Sequence, residues 1–331
     1  MAKNDLGRTI IDELKLCYVA ELSLLDELSQ IQLGEWAEYR EFTIFRVVCE
    51  HYQYGFDVLY TSNSNNRKKV ATFKFGRYGE QRFPQYVIYR IENETLYNQA
   101  LFNTTLSFPE ILGVTFLHIT SMDLCRDYKF NVMTRIRKTA KDNKVSVLVN
   151  GKVVDKRKDI DCGKLTHTLN FTKTKNPTLN LCQKKAIKDK TKGLSLCAYN
   201  KNNEIVASSN KEYIREFYGN PKTLHRLEIH QNSQEIKDFL KDAPQDIALL
   251  FDQDFLDAMY LTHLSSLLRF NRGRKHIEWQ ELLQREGMIT ICPTTALCRR
   301  KKRGSQEQFG RGATPLRFAV KKKNSHNVKY Q

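Results

Sequence analysis

The chain has 331 residues, 40% of them hydrophobic and 11% aromatic, which is enough for a substantial buried core and excludes a largely disordered protein. No apolar run approaches the roughly 18 residues a membrane span needs, and the opening MAKNDLGRTIIDE carries charges where a signal peptide places its apolar stretch, so a soluble cytoplasmic protein without a membrane partner is expected. Lys and Arg number 54 against 37 Asp and Glu, a formal charge of +17 that favours polyanionic partners.

Taken in chain order, β-branched and aromatic residues in partial alternation predict strands over 10–19, 42–49, 70–76 and 85–92, with a short amphipathic helix over 21–32. Further strands are expected at 114–122, 145–149, 194–199 and 224–230, joined by Lys- and Asn-rich connections with turns at Gly151 and Gly163. After His230 the period changes. Ser233 is a candidate cap for a helix from about Gln234, 246–270 has helical spacing, and IEWQELLQREG forms another helix ending near Gly287. Strands first and helices later predict an α+β fold. Its largely antiparallel sheet would occupy a strand-rich catalytic region, 1–232, followed by a helical part, 233–298, and a flexible basic tail, 299–331.

The positive charge is clustered: Arg135–Lys144, Lys152–Lys158, Lys184–Lys192 and the tail from Arg299 each carry a run. One such run is ordinarily a solvated face, whereas several in one chain favour nucleic acid. The 8 cysteines contain no pair separated by two residues and no nearby histidine set, so they read as reduced and structural rather than as a zinc site.

Three segments carry residues suited to chemistry. In 117–128, LHITSMDLCRDY, period 2 places Asp123, Cys125 and Asp127 on one strand face. Aspartate is disfavoured in strands, so either the carboxylates hold a hard cation such as Mg²⁺ or Mn²⁺, or the strand frays and Asp127 meets solvent. In 194–204, LSLCAYNKNNE, Tyr199 shares a face with Lys201, and Glu204 follows. A tyrosine hydroxyl ionises only near pH 10, so attack on a phosphodiester needs a metal or cation at the phosphate, for which Lys201 is a candidate, with or without a nearby base, while most of the 15 tyrosines serve packing. In 224–230, LHRLEIH, Arg226, Glu228 and His230 share a face, as a metal carboxylate with a phosphate-binding guanidinium or as a solvated ion-pair ladder.

In that order these segments resemble the replication initiation factor family, the trans-acting Rep proteins of rolling-circle plasmids and related mobile elements. Its Ile-Asp-x-Leu-x-Leu strand is matched by Ile11–Leu16. Its Thr-Arg-hydrophobe-Asp-Leu-x-x-Asp strand is matched by Thr120–Asp127, with Ser121 in place of the arginine. Its Tyr-x-Lys-x-x-Glu and Arg-x-Glu segments are matched by Tyr199, Lys201, Glu204, Arg226 and Glu228. The resemblance spans about residues 10–280 and implies an origin-specific DNA nickase. Tyr199 would attack a backbone phosphate, leaving a 5′-phosphotyrosine and a 3′-hydroxyl that primes synthesis. Asp123, Asp127 and Glu228 would hold Mg²⁺ or Mn²⁺, and Arg226 and Lys201 would stabilise charge at the phosphate. It also implies single- and double-stranded origin DNA, a helicase and a homodimer as partners. The alternatives are a non-catalytic origin-binding or regulatory protein and a metal-dependent nuclease acting through water.

Overall fold

The computed structural model describes residues 6–61, 66–78, 85–155, 170–171, 178–182, 193–241 and 243–283. The chain divides into two units, Met1–Ile289 and Thr290–Gln331, and the second lies outside the described residues. So do Gly163, the Lys184–Lys192 run and the basic tail.

The N-terminal part is an antiparallel meander. Strand β1 (Ile10–Val19) is followed by helix α1 (Leu22–Gln30) and by β2 (Trp36–Tyr39), β3 (Phe42–Val47), β4 (Tyr52–Thr61), β5 (Arg67–Arg77) and β6 (Tyr86–Ile91). Helices α2 (Asn93–Leu96) and α3 (Gln99–Leu112) lead into the long strand β7 (Thr115–Tyr128), then helix α4 (Val132–Lys141) and strands β8 (Val145–Val149) and β9 (Lys152–Val153). Strands β10 (Asn170–Phe171), β11 (Leu179–Cys182), β12 (Ser195–Asn200) and β13 (His225–Asn232) complete an 11-stranded sheet ordered β10-β11-β12-β13-β7-β1-β6-β5-β4-β3-β2. All of its pairings are antiparallel. The α+β class with a large antiparallel sheet is the one the sequence predicts.

Between β12 and β13 the chain forms α5 (Lys201–Glu204), a π-helical turn over Ile205–Ser209 and α6 (Glu212–Phe217). After β13 come α7 (Ser233–Leu240), a 3₁₀ turn over Ile247–Phe251, α8 (Gln253–Leu267), the hairpin β14 (Leu268–Arg272) and β15 (Lys275–Ile277), and α9 (Trp279–Leu283). The expected helix over 246–270 is thus divided. Asp252 caps α8 by accepting from the amides of Asp254 and Phe255. At its other end, buried Leu268, exposed Arg269 and buried Phe270 alternate and pair with β8, forming a second sheet ordered β15-β14-β8-β9. The cap of α7 is Asn232 rather than Ser233, its side chain accepting from the amides of Gln234 and Glu235. Helices α7 and α8 pack on β7 and β13 within the first unit.

The core lies on both faces of the sheet. Helix α3 covers β3–β6 through Phe108, whose ring meets Phe42, Phe73 and Tyr89 at centroid separations of 5.1, 6.0 and 6.1 Å. Helix α8 is fastened to β7 and β13: Tyr260 donates to the Leu227 carbonyl at 3.0 Å, and Arg126 donates to Asp257 at 2.7 Å. A smaller apolar cluster of Tyr97, Ile205, Ile214, Tyr218 and Leu224 lies under the α5–α6 segment. It roofs the strand positions that bear Arg226. Cys17, Cys49, Cys125 and Cys197 are not in disulfides.

Candidate functional site

The centre of the site is Arg226 on β13, whose side chain is 0% exposed. It stands directly opposite Asp127 on β7 and grips it with two parallel hydrogen bonds, Nε to Oδ1 at 2.9 Å and Nη2 to Oδ2 at 2.7 Å. This fork-on-fork geometry is the strong form of a charge-assisted pair. Nη2 also donates to Tyr97 Oη at 2.7 Å, and Tyr97 in turn donates to Asp12 Oδ1 at 2.6 Å. Arg226 Nη1 lies 2.6 Å from Asp12 Oδ1 and 3.8 Å from Glu228 Oε2. Asp12 reaches the guanidinium through a bulge: β1 pairs Ile11 with Leu124 and Glu13 with Asp123, leaving Asp12 as the extra residue.

Tyr199 on β12 pairs with Arg226 across the sheet, and its hydroxyl donates to Glu228 Oε2 at 2.9 Å. Lys201, the first residue of α5, is 2% exposed. Its Nζ lies 2.8 Å from Glu204 Oε2 and 5.6 Å from the Tyr199 ring centroid. The turn that aims Lys201 is held by Asn200, whose side chain accepts from the Asn203 amide at 3.0 Å.

Burial and charge set the protonation states. Burial pushes the Asp12 carboxyl up, but the Arg226 and Lys201 charges and the Tyr97 hydrogen bond outweigh it and hold the pKa at about 2. For Glu228, burial and then the negative charge of Asp12 act together and raise its pKa to about 7, against the attraction of Arg226. Burial also raises Tyr199 well above the ordinary tyrosine range, despite Arg226. Arg226 loses solvent but gains Asp12 and Asp127, which favour its charged form. The result is a buried cation held by Asp127 and by an ionised Asp12, beside a tyrosine that donates to a third carboxylate, Glu228, poised near neutrality.

Of the residues singled out from the sequence, Asp127, Tyr199, Lys201, Glu204, Arg226 and Glu228 come together here. Asp123 does not join them: it contacts His230 Nδ1 at 2.5 Å on a neighbouring rung of the β7–β13 pair. Arg226 directs its guanidinium to the buried carboxylates of Asp127 and Asp12. Asp127 gives both oxygens to Arg226, and Asp123 is turned to His230, so Asp123, Asp127 and Glu228 have different neighbours in this arrangement. Among the described residues no three His, Cys, Asp or Glu side chains form a donor set for a metal ion. Two members have roles that sequence reasoning did not assign. Asp12 was legible on the argument used for Asp123, an acid inside an apolar strand. Tyr97 follows a four-residue helix and carries no periodic signal.

The arrangement is suited to moving one proton between Tyr199 and Glu228 while Arg226 holds the surrounding carboxylates in place. Beside it, Tyr97, Arg8, Phe102, Phe217, Phe251 and Gln253 line a cavity of 420 Å³. Among the described residues no helix is long and apolar enough to cross a membrane. The chain matches no protein-family model and no curated protein sequence.

Proposed function

We propose that the chain is a rolling-circle replication initiator that nicks DNA through Tyr199. The observation that carries this reading is the 2.9 Å hydrogen bond from the Tyr199 hydroxyl to Glu228, a carboxylate whose pKa of about 7 suits a proton acceptor at neutral pH. Tyr199 Oη forms a bond to phosphorus while its proton passes to Glu228. The bond from phosphorus to the 3′ oxygen breaks, and that oxygen leaves as a hydroxyl after gaining a proton. A 5′-phosphotyrosine remains on the chain, and the reverse transfer reseals the strand.

Arg226 and Lys201 contribute positive potential from buried positions rather than by touching the phosphate. The expected Mg²⁺ or Mn²⁺ would supply positive charge at the phosphate; such hard ions use substrate phosphates as ligands alongside one or two carboxylates. The formal charge of +17 supports origin DNA as the partner. A helicase and a second copy of the chain are the further partners this reading implies.

The test is incubation of the purified chain with supercoiled plasmid bearing its cognate origin and Mg²⁺ or Mn²⁺, followed by a denaturing protein gel. Wild type yields a DNA-linked species, and Tyr199→Phe abolishes it while retaining DNA binding. Full nicking by the variant would remove Tyr199 from the chemistry. Nicks without any adduct would favour a nuclease that uses water. A second reading, DNA binding without cleavage, is favoured by the burial that holds Tyr199 un-ionised, and binding without nicks would support it.

A further inference from the structure

The four-stranded β15-β14-β8-β9 sheet and helix α4 carry a feature that the Tyr199 site does not use. Helix α4 exposes Thr134, Arg137, Lys138 and Lys141, positions that share one helical face, while Val132, Met133, Ile136 and Ala140 are buried. Its opposite side packs on β12 and β13, the strands that bear Tyr199 and Arg226. Exposed Lys144 follows the helix, and β8 begins one residue later. The β14–β15 hairpin then sets its tip beside that point, because Arg272 pairs with Val145 and its guanidinium lies 3.8 Å from Asp142 at the end of α4. The tip is a two-residue turn with Gly273 at φ 60°, and Arg272, Arg274 and Lys275 are all exposed.

Among the described residues, one surface therefore gathers Arg137, Lys138, Lys141, Lys144, Arg272, Arg274 and Lys275, with the acids Asp142 and Asp155 at its border. Glu278 lies past the end of β15 away from the tip. Among the described residues, the aromatic groups of this region are not available for stacking. Phe270 and Trp279 are 1% and 2% exposed, and the Phe130 ring is covered by the Arg135 guanidinium at 4.0 Å. Binding of single strands combines cations with exposed aromatic platforms, whereas a duplex presents a dense rail of phosphates and no free base faces.

We infer that the exposed face of α4 and the tip of the β14–β15 hairpin form a docking surface for the phosphate backbone of double-stranded DNA. A helix and an adjoining basic hairpin, both held on folded sheets, offer cations at fixed separations, which orients a duplex as well as attracting it. The inference rests on DNA as the partner but not on strand cleavage.

The experiment uses the full-length chain carrying Tyr199→Phe, without divalent ions, and measures anisotropy of a labelled 30-base-pair duplex over a range of salt. The combined variant Lys138→Ala, Lys144→Ala, Arg274→Ala and Lys275→Ala should lower the slope of log affinity against log salt by about 3 to 4, at ~0.9 per phosphate contact. Substituting exposed Lys222 and Lys241, which lie outside this surface, should leave the slope unchanged. All the substituted lysines and arginines are exposed, and a melting curve matching the Tyr199→Phe parent confirms that folding is intact. An unchanged slope and affinity in the combined variant would overturn the inference, as would equal loss with the two control lysines. Preference of wild type for single-stranded DNA, duplex RNA or anionic vesicles over the duplex would overturn it as well. A nicking-deficient wild type whose duplex binding still depends on these residues would sink the Tyr199 chemistry and leave the docking surface standing.

Discussion

At the scale of single residues, Asp12 and Glu228 show how one guanidinium sorts its neighbours. Asp12 lies 2.6 Å from Arg226 and stays ionised, whereas Glu228 at 3.8 Å meets burial and the Asp12 charge together. Their effects on stability have opposite signs. Asp12, depressed to about 2, contributes stability above its ordinary value of 3.8 and loses it as pH falls towards 2. Glu228, raised from 4.5 to about 7, binds a proton more tightly when folded, so its contribution is present below 4.5 and is lost as pH rises through 7. Glu228→Gln, uncharged at every pH, should flatten the decline in melting temperature between about pH 5 and 7. A variant that declines as steeply as wild type would show that Glu228 does not titrate in this window. The same substitution should slow adduct formation if Glu228 takes the Tyr199 proton. The alternation LSLCAYN made the placement of Tyr199 legible, but not its partner, because the register of β12 on β13 is a tertiary fact.

At the scale of elements, strands were legible where apolar residues alternate, and so were α1 and α7, whereas the helices between β6 and β13 were not. The strand over Val145–Val149 and the faces of 194–199 and 224–230 follow the sequence pattern closely. Helix α3 was missed because QALFNTTLSFPEIL carries two threonines and Pro109, which read as strand or turn. Pro109 is accommodated near the end of the helix, four residues before Gly113 closes it at φ 82°. Helix α4 was hidden by its charge: its basic run gave a functional signal that masked the buried Val132, Met133, Ile136 and Ala140. The turn at Gly151 was anticipated, and the backbone shows why it needs glycine. Asn150 and Gly151 take φ values of 50° and 75° between β8 and β9, the pairing that suits a tight hairpin. A Cβ on Gly151 would meet nothing within 4 Å, so only backbone strain opposes it. Gly151→Ala should cost about 1–2 kcal/mol in chemical unfolding, and no change would show that the turn conformation is not what holds β9.

At the scale of the whole molecule, the Arg226–Asp127 pair joins parts of the chain that are far apart in sequence. It ties β13 to β7, and through Asp12 and Tyr97 it ties both to β1 and to the end of α2. Removing one partner leaves a buried charge without compensation, so Asp127→Asn should destabilise the first unit by ~3–5 kcal/mol. Calorimetry should show the effect as one lowered transition rather than a new early one, since β7 is central to the sheet. A loss below about 1 kcal/mol, the size of a surface pair, would show that the cluster is not a structural hub.

The position of β7 also has a consequence during synthesis. One edge of β7 pairs with β1, which precedes it, but the other waits for β13, whose Arg226 follows Asp127 by 99 residues. At ribosomal speeds of 5–20 residues per second, that edge stays open on the nascent chain for roughly 5–20 s. An open strand edge invites pairing with other chains, and charged side chains are the usual protection. Asp123, Arg126 and Asp127 stand on that strand. Before Arg226 arrives, the carboxylate that later anchors the site guards an unfinished sheet against aggregation.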